Sequence, residues 1–101
     1  MNIRDLRSPE TLPDGLTPYR RTAVFTETTV PSGLLNEHTT KEGTWGQIHV
    51  LEGALDYVIC DPRRDPVTTQ LTPGSPGVVE PTIVHRVAPL GPVRFYVEFY
   101  R

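Results

Sequence analysis

The sequence predicts an all-β chain, folded as an antiparallel sandwich or barrel. Eleven prolines and eight glycines interrupt the 101 residues at short intervals. Between them no apolar pattern with a helical period lasts for about ten residues, which argues against any long helix. The segments that remain have strand length, are rich in β-branched and aromatic residues, and end at turn-forming residues. Many short strands with such turns are typical of an antiparallel sandwich or barrel.

Each predicted strand is a run of this kind between two turn signals. Gly53 is predicted to form a tight hairpin between two of them, and the proline-containing loops "DPRRDP" and "TPGSPG" are predicted turns. At this length we expect one domain, residues 1–101, with residues 1–16 as an N-terminal extension. The predicted strands are 19–30, 33–38, 46–52, 54–60, 67–71, 77–80, 83–88 and 93–100.

Composition and charge exclude several classes of partner. The chain carries 10 Lys and Arg against 12 Asp and Glu, and it has no basic cluster, so we expect no nucleic-acid binding. The single cysteine, Cys60, cannot form an internal disulfide, which favours a cytoplasmic protein. The first residues, "MNIRDLRSPE", have no apolar stretch of the secretory type, and no apolar run is long enough to span a membrane. We therefore expect a cytoplasmic protein without a membrane partner.

Two of the three histidines are candidate metal ligands. In "EPTIVHRVAP", His85 shares one strand face with Ile83 and Val87, which predicts that its side chain points inward. His38 ends a predicted strand before a glycine-containing loop. If His38 approaches His85 from the opposing half of the sheet, the two imidazoles form the beginning of a site for a first-row metal. His49 alternates with the apolar residues of its strand and is expected on the outer face.

A metal site needs at least a third protein ligand, and the sequence offers three candidates. They are Glu42 in the loop after His38, Glu80 before Pro81, and Glu98 on the last strand. Each of them is also compatible with an ordinary solvated carboxylate. Glu98 alternates with an apolar face and is expected to point away from the interior unless a bulge intervenes.

Aromatic residues suggest a pocket wall and a subunit interface. Trp45 and Tyr57 are candidates for lining a ligand pocket, although large aromatic residues in a small β protein also serve as core. Tyr96, Glu98 and Tyr100 form a stripe on one face of the last strand. A tyrosine-rich outer face suits a protein partner better than water, so we expect a homodimer.

Three segments carry a resemblance to a known family: "EHTTKEGTWGQIHVLEG", "PGSPGVVEPTIVHRVAP" and "FYVEFYR". From about Tyr19 onward the chain resembles the cupin superfamily and, more narrowly, the TehB/YeaR-like cupins. The resemblance implies a double-stranded β-helix, or jelly roll, with His38 and His85 at the histidines of the two cupin motifs. Thr40 and Gly46 stand where a typical metal-binding cupin has a second histidine and a glutamate. The resemblance therefore implies that two of the usual four ligands are missing.

The family also implies a setting for the function. Larger TehB proteins continue into an S-adenosylmethionine-dependent methyltransferase domain, whereas this chain stops at Arg101. We therefore expect no methyl transfer by this chain. We expect instead a small accessory protein in tellurite resistance, oxyanion handling or the nitrosative stress response.

Three functions remain open at this point. The first is binding of a divalent metal (Zn, Ni or Fe), or of a small molecule or oxyanion, through His38 and His85. The second is a metal-dependent enzyme of the oxygenase or isomerase type, in which a carboxylate completes the site. The third is a non-catalytic, dimeric interaction module.

Overall fold

A computed structural model of the chain describes residues 9–101, and the strands within it pair antiparallel throughout. The predicted all-β, antiparallel class is confirmed. The one helix in residues 9–101 has four residues and is too short to cross a membrane. The predicted extension, 1–16, lies partly outside the described residues. The elements in chain order are β1 (Pro18–Arg21), β2 (Phe25–Thr26), α1 (Ser32–Leu35), β3 (Trp45–Ile59), β4 (Val67–Leu71), β5 (Gly77–Val79) and β6 (His85–Tyr100).

Two long strands, β3 and β6, form the spine of the sheet. They run antiparallel along nearly their whole length, from Trp45 opposite Tyr100 to Ile59 opposite His85. The sheet order is β1-β6-β3-β4, with β2 pairing with β6 and β5 pairing with β3. This arrangement places the start of β6, where His85 lies, next to the end of β3.

The predicted hairpin at Gly53 is wrong, because β3 continues through this residue. Gly53 has φ +81°, and the register with β6 shifts on both sides of it. Such a bulge bends a strand without reversing it. The buried positions change parity at the bulge, from Ile48 and Val50 before it to Leu55 and Tyr57 after it. The bend therefore lets both halves of one strand face the same core. Likewise the predicted strands 83–88 and 93–100 are parts of the single strand β6.

The region before β3 also differs from the prediction. The predicted strand 19–30 is two short strands, β1 and β2, and it ends in a turn in which the Thr29 hydroxyl accepts a hydrogen bond from the Thr26 amide at 2.8 Å. The predicted strand 33–38 instead begins within the helix α1, which is closed by hydrogen bonds from the Asn36 amide and side chain to the Ser32 carbonyl oxygen. Of these predicted strand residues, only His38 forms a β-bridge. These local hydrogen bonds between side chain and backbone compete with strand pairing.

The core lies on the inner face of the bent sheet. Phe25, Val30, Leu34 and Phe99 pack against it from the side. Burial of Ile48, Val50 and Val87 confirms the alternation predicted for these strands. The cluster comprises Ile48, Val50, Leu55, Tyr57, Ile59, Leu71, Val79, Ile83, Val87, Val93, Phe95 and Val97.

Candidate functional site

His85 is the most deeply buried histidine of the chain. It begins β6, points inward between Ile83 and Val87, and is only 3% exposed. Its Nδ1 atom lies 2.8 Å from the carbonyl oxygen of Ile83. A carbonyl oxygen can only accept a hydrogen bond, so Nδ1 carries the proton and Nε2 of the neutral ring keeps its lone pair. The ring is therefore held in one tautomer, with Nε2 as an acceptor or ligand atom.

His38 is joined to His85 through the backbone. The amide of each residue donates to the carbonyl oxygen of the other, both at 3.0 Å, as an isolated antiparallel bridge. This pairing brings the two side chains side by side, with ring centroids 4.2 Å apart and planes at 63°. The His38 Nδ1 atom lies 2.9 Å from the carbonyl oxygen of Asn36, which assigns the same tautomer as in His85. The expected meeting of the two imidazoles is thus observed.

The two rings lie in the wall of a cavity of about 640 Å³, called the histidine cavity below. Its floor is the apolar inner face of the sheet, and its mouth is formed by β1, α1 and the loop after His38. Among the described residues, neither Nε2 atom has a hydrogen-bond partner. The lining residues are Tyr19, Arg20, Thr22, Phe25, Pro31, Gly33, Leu34, His38, Thr39, Thr40, Lys41, Thr44, Ile48, Val79, His85, Val87, Phe95, Val97 and Phe99.

Burial determines the charge state of His85. The pKa of His85 is lowered to about 4, chiefly by loss of hydration; the hydrogen bond to the Ile83 carbonyl opposes this shift, and the neighbouring His38 adds to it. His85 is therefore neutral at pH 7. A neutral imidazole with a free Nε2 lone pair can accept a hydrogen bond or bind a metal, but it attracts no anion.

The three candidate carboxylates do not join the histidines. Glu42 lies in an exposed loop segment, and the Glu80 carboxylate accepts a hydrogen bond from the Arg64 Nε at 3.2 Å. Glu98 points outward as expected, and its Oε1 accepts a hydrogen bond from the Tyr100 hydroxyl at 2.9 Å. Within residues 9–101, no group of three or more His, Cys, Asp or Glu side chains is placed to hold a metal ion. The structure brings together two candidate ligands and no third.

Trp45 and Tyr57, the two aromatic residues predicted to line the pocket, do not line the histidine cavity. Trp45 is not part of the cavity lining, because it precedes the inward Gly46 and shares the outer face of β3 with His49. Tyr57 packs its ring against His85, with centroids 5.7 Å apart, and its hydroxyl donates to the Val78 carbonyl oxygen at 2.9 Å. Burial raises the pKa of Tyr57 far above its ordinary value. Tyr57 lines a second cavity of about 620 Å³ and supports His85 from the side.

Sequence reasoning missed the polar mouth of the cavity. Arg20 and Lys41 are exposed lining residues, on β1 and on the loop after His38 respectively. The loop segment "HTTK" is polar in sequence, but no pattern in it predicted that the loop packs over the inner face of the sheet. Arg20 gave no signal, because β1 is an exposed strand without alternation.

An ion pair behind the site holds the segment that leads into His85. Asp61 is 2% exposed, and its carboxylate accepts hydrogen bonds from the Val84 amide at 2.9 Å and from the Arg63 amide and side chain. These bonds, chiefly those from the Arg63 side chain, hold the pKa of Asp61 well below its usual range. Arg63 also donates to the carbonyl oxygen of Thr82, which has the unusual φ of +65°. The sequence predicted only a turn in "DPRRDP".

Known proteins share both the sequence and the fold. The family model of the TehB-like domain matches residues 20–97. A Haemophilus influenzae protein (strain Rd), named probable S-adenosyl-L-methionine-dependent methyltransferase TehB, is 35% identical over 74 residues, which are 71% of this chain and 26% of that protein. The protein of the same name from strain 10810 matches over the same shares. The match thus covers about a quarter of these curated relatives.

Two crystal structures are similar to the fold described above. The structure of TehB from Haemophilus influenzae has a TM-score of 0.78 and 32% identity, covering 86% of this chain and 32% of that chain. The structure of a protein from Escherichia coli K12 has a TM-score of 0.79 and covers 90% of this chain and 95% of that chain. At 20% identity, the second concerns the fold alone. The family match over residues 20–97 shows that the chain belongs to the TehB-like domain family.

Proposed function

We propose that this chain is a binding domain for a small ligand and that the histidine cavity is its binding site. One observation carries the proposal: two imidazoles with centroids 4.2 Å apart, each with its Nδ1 within hydrogen-bond distance of a backbone carbonyl oxygen, lie in the wall of a cavity of about 640 Å³. Small-molecule sites are mostly apolar, have volumes of roughly 300 to 1,000 Å³ and contain a few converging polar groups. The histidine cavity matches this description in volume, in its apolar floor and in its few polar atoms.

A divalent metal ion is the second ligand that the two histidines would accept. A neutral imidazole nitrogen binds Zn, Ni and Fe. A hydrogen bond from Nδ1 to a carbonyl oxygen orients the imidazole ring for this coordination. His38 and His85 fit two coordination positions, but the described residues supply no third. We therefore propose weak binding, in which water or a small molecule completes the coordination.

The biological setting is proposed from the relatives. The similar Haemophilus proteins carry the name of a probable methyltransferase, and this chain matches about a quarter of their length. We propose that the chain contributes ligand binding, as an accessory to tellurite or other oxyanion resistance or to the nitrosative stress response.

The test combines NMR mapping with metal titration on the whole chain. A library of small organic fragments is added to ¹⁵N-labelled protein, and amide shifts are mapped onto the structure. In parallel, Zn²⁺ and Ni²⁺ are titrated by calorimetry. The variants are His38→Gln and His85→Gln. His49→Gln is the matched control, because the His49 ring stacks on Tyr96 on the outer face.

The expected result is that fragments shift the amides of cavity-lining residues such as Val79 and Phe95. Metal binding should weaken at least about tenfold in either cavity variant, because one of only two protein ligands is lost, and should not change in His49→Gln. Fragment shifts that avoid the cavity would overturn the small-ligand proposal. Equal metal binding by all three variants would overturn the metal proposal.

A further inference from the structure

The charge of the histidine cavity indicates which small molecules it takes. The chain as a whole has more acidic than basic residues, with a net charge of −2. The described lining of the cavity is the reverse, since it contains Arg20 and Lys41 but no Asp or Glu. Within residues 9–101, neither cation forms an ion pair. A cleft lined by one sign of charge over apolar walls concentrates ligands of the opposite sign.

The two cations lie at the mouth, whereas the histidines lie deeper. Arg20 and Lys41 are exposed, but His85 is 3% exposed and packs between core residues. The hydroxyls of Thr22 and Thr40, also in the lining, donate to the carbonyl oxygens of Ala23 and Thr44 at 2.8 Å. An anionic group of a ligand therefore pairs best with Arg20 and Lys41.

At the inner end of the histidine cavity, the ligand has to supply a hydrogen-bond donor and not a negative charge. Both Nδ1 atoms donate to backbone carbonyls, so both Nε2 atoms are acceptors. An acceptor in a buried wall is best satisfied by a donor on the ligand, such as a hydroxyl group, and repels a carboxylate. Between the two ends the floor is apolar, formed by side chains such as Ile48, Phe95 and Val97. A ligand that satisfies all three regions has an anion at one end, a hydroxyl at the other and a hydrophobic body between.

We propose that the histidine cavity binds a hydroxyaryl carboxylate, with the carboxylate at Arg20 and Lys41, the ring on the apolar floor and the hydroxyl donating to the Nε2 atoms of His38 and His85. This proposal rests on the proposed function, because it names the ligand class of the same site. It excludes a bare inorganic oxyanion as the best ligand, since such an ion would leave the apolar floor and both imidazoles without a partner.

Three matched probes test each end of the ligand. The first is 3-(4-hydroxyphenyl)propionate, the second is 3-phenylpropionate, which lacks the hydroxyl, and the third is 3-(4-hydroxyphenyl)propan-1-ol, which lacks the charge. Binding to the whole chain is followed by NMR shifts of the cavity amides at pH 7. The hydroxy acid should bind most tightly, the alcohol about tenfold more weakly and the phenylpropionate about fivefold more weakly. Binding of the acid should also weaken with added salt.

Variants assign the charge preference to the two cations. In Arg20→Gln/Lys41→Gln the acid should lose most of its advantage over the alcohol. In Arg94→Gln, which removes an exposed cation that pairs with Glu52 outside the cavity, the advantage should persist. Both cations at the mouth are exposed, so the double variant is expected to fold.

Variants of α1 test the apolar contact. Leu34 lines the cavity, whereas the next residue, Leu35, is exposed and outside the lining. Leu34→Ser should weaken binding of all three probes severalfold, and Leu35→Ser should not.

The outcomes separate this inference from the proposed function. If the alcohol binds the cavity as tightly as the acid, or if the double variant keeps the preference for the acid, the hydroxyaryl carboxylate is wrong while the small-ligand site stands. If no probe and no library fragment shifts the cavity amides, both proposals fall.

Discussion

At the scale of single residues, the pair His38 and His85 is defined by two backbone carbonyls. The Asn36 and Ile83 carbonyl oxygens accept from the Nδ1 atoms and turn the Nε2 lone pairs away from the backbone. Both contacts lie two residues before the ring they orient, so local chain geometry sets the tautomer. The inward direction of His85 was predictable from its alternation with Ile83 and Val87. The carbonyl contacts were not, because they depend on backbone angles that no sequence pattern reports.

Stability should depend on pH through His85. Its pKa is about 4 in the folded chain and 6.5 in an ordinary site, so below pH 6.5 the unfolded chain binds more protons. The free energy of unfolding therefore falls as the pH drops from 6.5 towards 4, by roughly 2 kcal/mol between pH 7 and pH 5. Urea unfolding at these two pH values should show this loss in the wild type, and His85→Gln should show correspondingly less. An identical pH dependence in the two proteins would contradict the assigned environment of His85.

At the scale of elements, the segment entering β6 is fixed by the loop after β3. The Asp61 carboxylate holds the Val84 amide and the Arg63 side chain, which in turn holds the Thr82 carbonyl. This network accounts for how Thr82 keeps a φ of +65° next to the site.

Removing the Asp61 carboxylate should therefore destabilise the chain and loosen His85. Asp61→Ala leaves the partly buried Val84 amide and the Arg63 side chain without their acceptor, so the urea midpoint should fall clearly. The exposed Asp65 of the same loop is the control, and Asp65→Ala should keep a midpoint close to that of the wild type. Equal midpoints for the two variants would show that the network does not support the fold.

The bend of β3 depends on Gly53. A Cβ built at this position would lie 2.1 Å from the Pro92 carbonyl oxygen, in addition to the strain of φ +81°. Gly53→Ala should destabilise the chain by about 2 kcal/mol or more. Gly91 has a similar φ of +89° but open space around its Cβ position, so Gly91→Ala isolates the strain alone and should cost roughly 1 kcal/mol. Thermal or urea unfolding of both variants checks the difference, and equal losses would contradict the close approach.

The sequence predicted most of the strand segments but not how they join. Alternating apolar residues located both halves of β3 and β6, whereas a glycine between two strands is equally typical of a hairpin and of a bulge. The helix α1 was missed because four residues are too few for a helical period to appear. The prediction that His49 and Glu98 lie on the outer face was correct, because side chains alternate between faces along a regular strand in any sheet topology.

At the scale of the whole molecule, the outer face of β3 and β6, which carries Tyr96, Glu98 and Tyr100, is the predicted dimer contact. The Tyr96 ring stacks on His49, with centroids 4.9 Å apart, and the Arg21 guanidinium lies 4.2 Å from the Tyr96 centroid. Within residues 9–101, the His49 Nε2 atom is buried without a hydrogen-bond partner.

Light scattering after size exclusion tests the dimer. We expect twice the mass of one chain for the wild type, and a shift towards one chain for Tyr96→Glu, which adds a negative charge beside Glu98 on this face. Leu90→Glu is the control, because Leu90 is 46% exposed and lies in the middle of β6, away from Tyr96. A wild type with the mass of one chain at all concentrations would contradict the dimer.

The most direct test of the central claim is a ¹⁵N NMR measurement of the imidazole nitrogens, with His49→Gln and His38→Gln used to assign the three rings. At pH 7 the account predicts a protonated Nδ1 and an unprotonated Nε2 in both His38 and His85, and a joint change of the two Nε2 shifts when a cavity ligand is added. Protonated Nε2 atoms in the free protein, or Nε2 shifts that ignore a ligand bound in the cavity, would contradict the assignment of these rings as the binding groups.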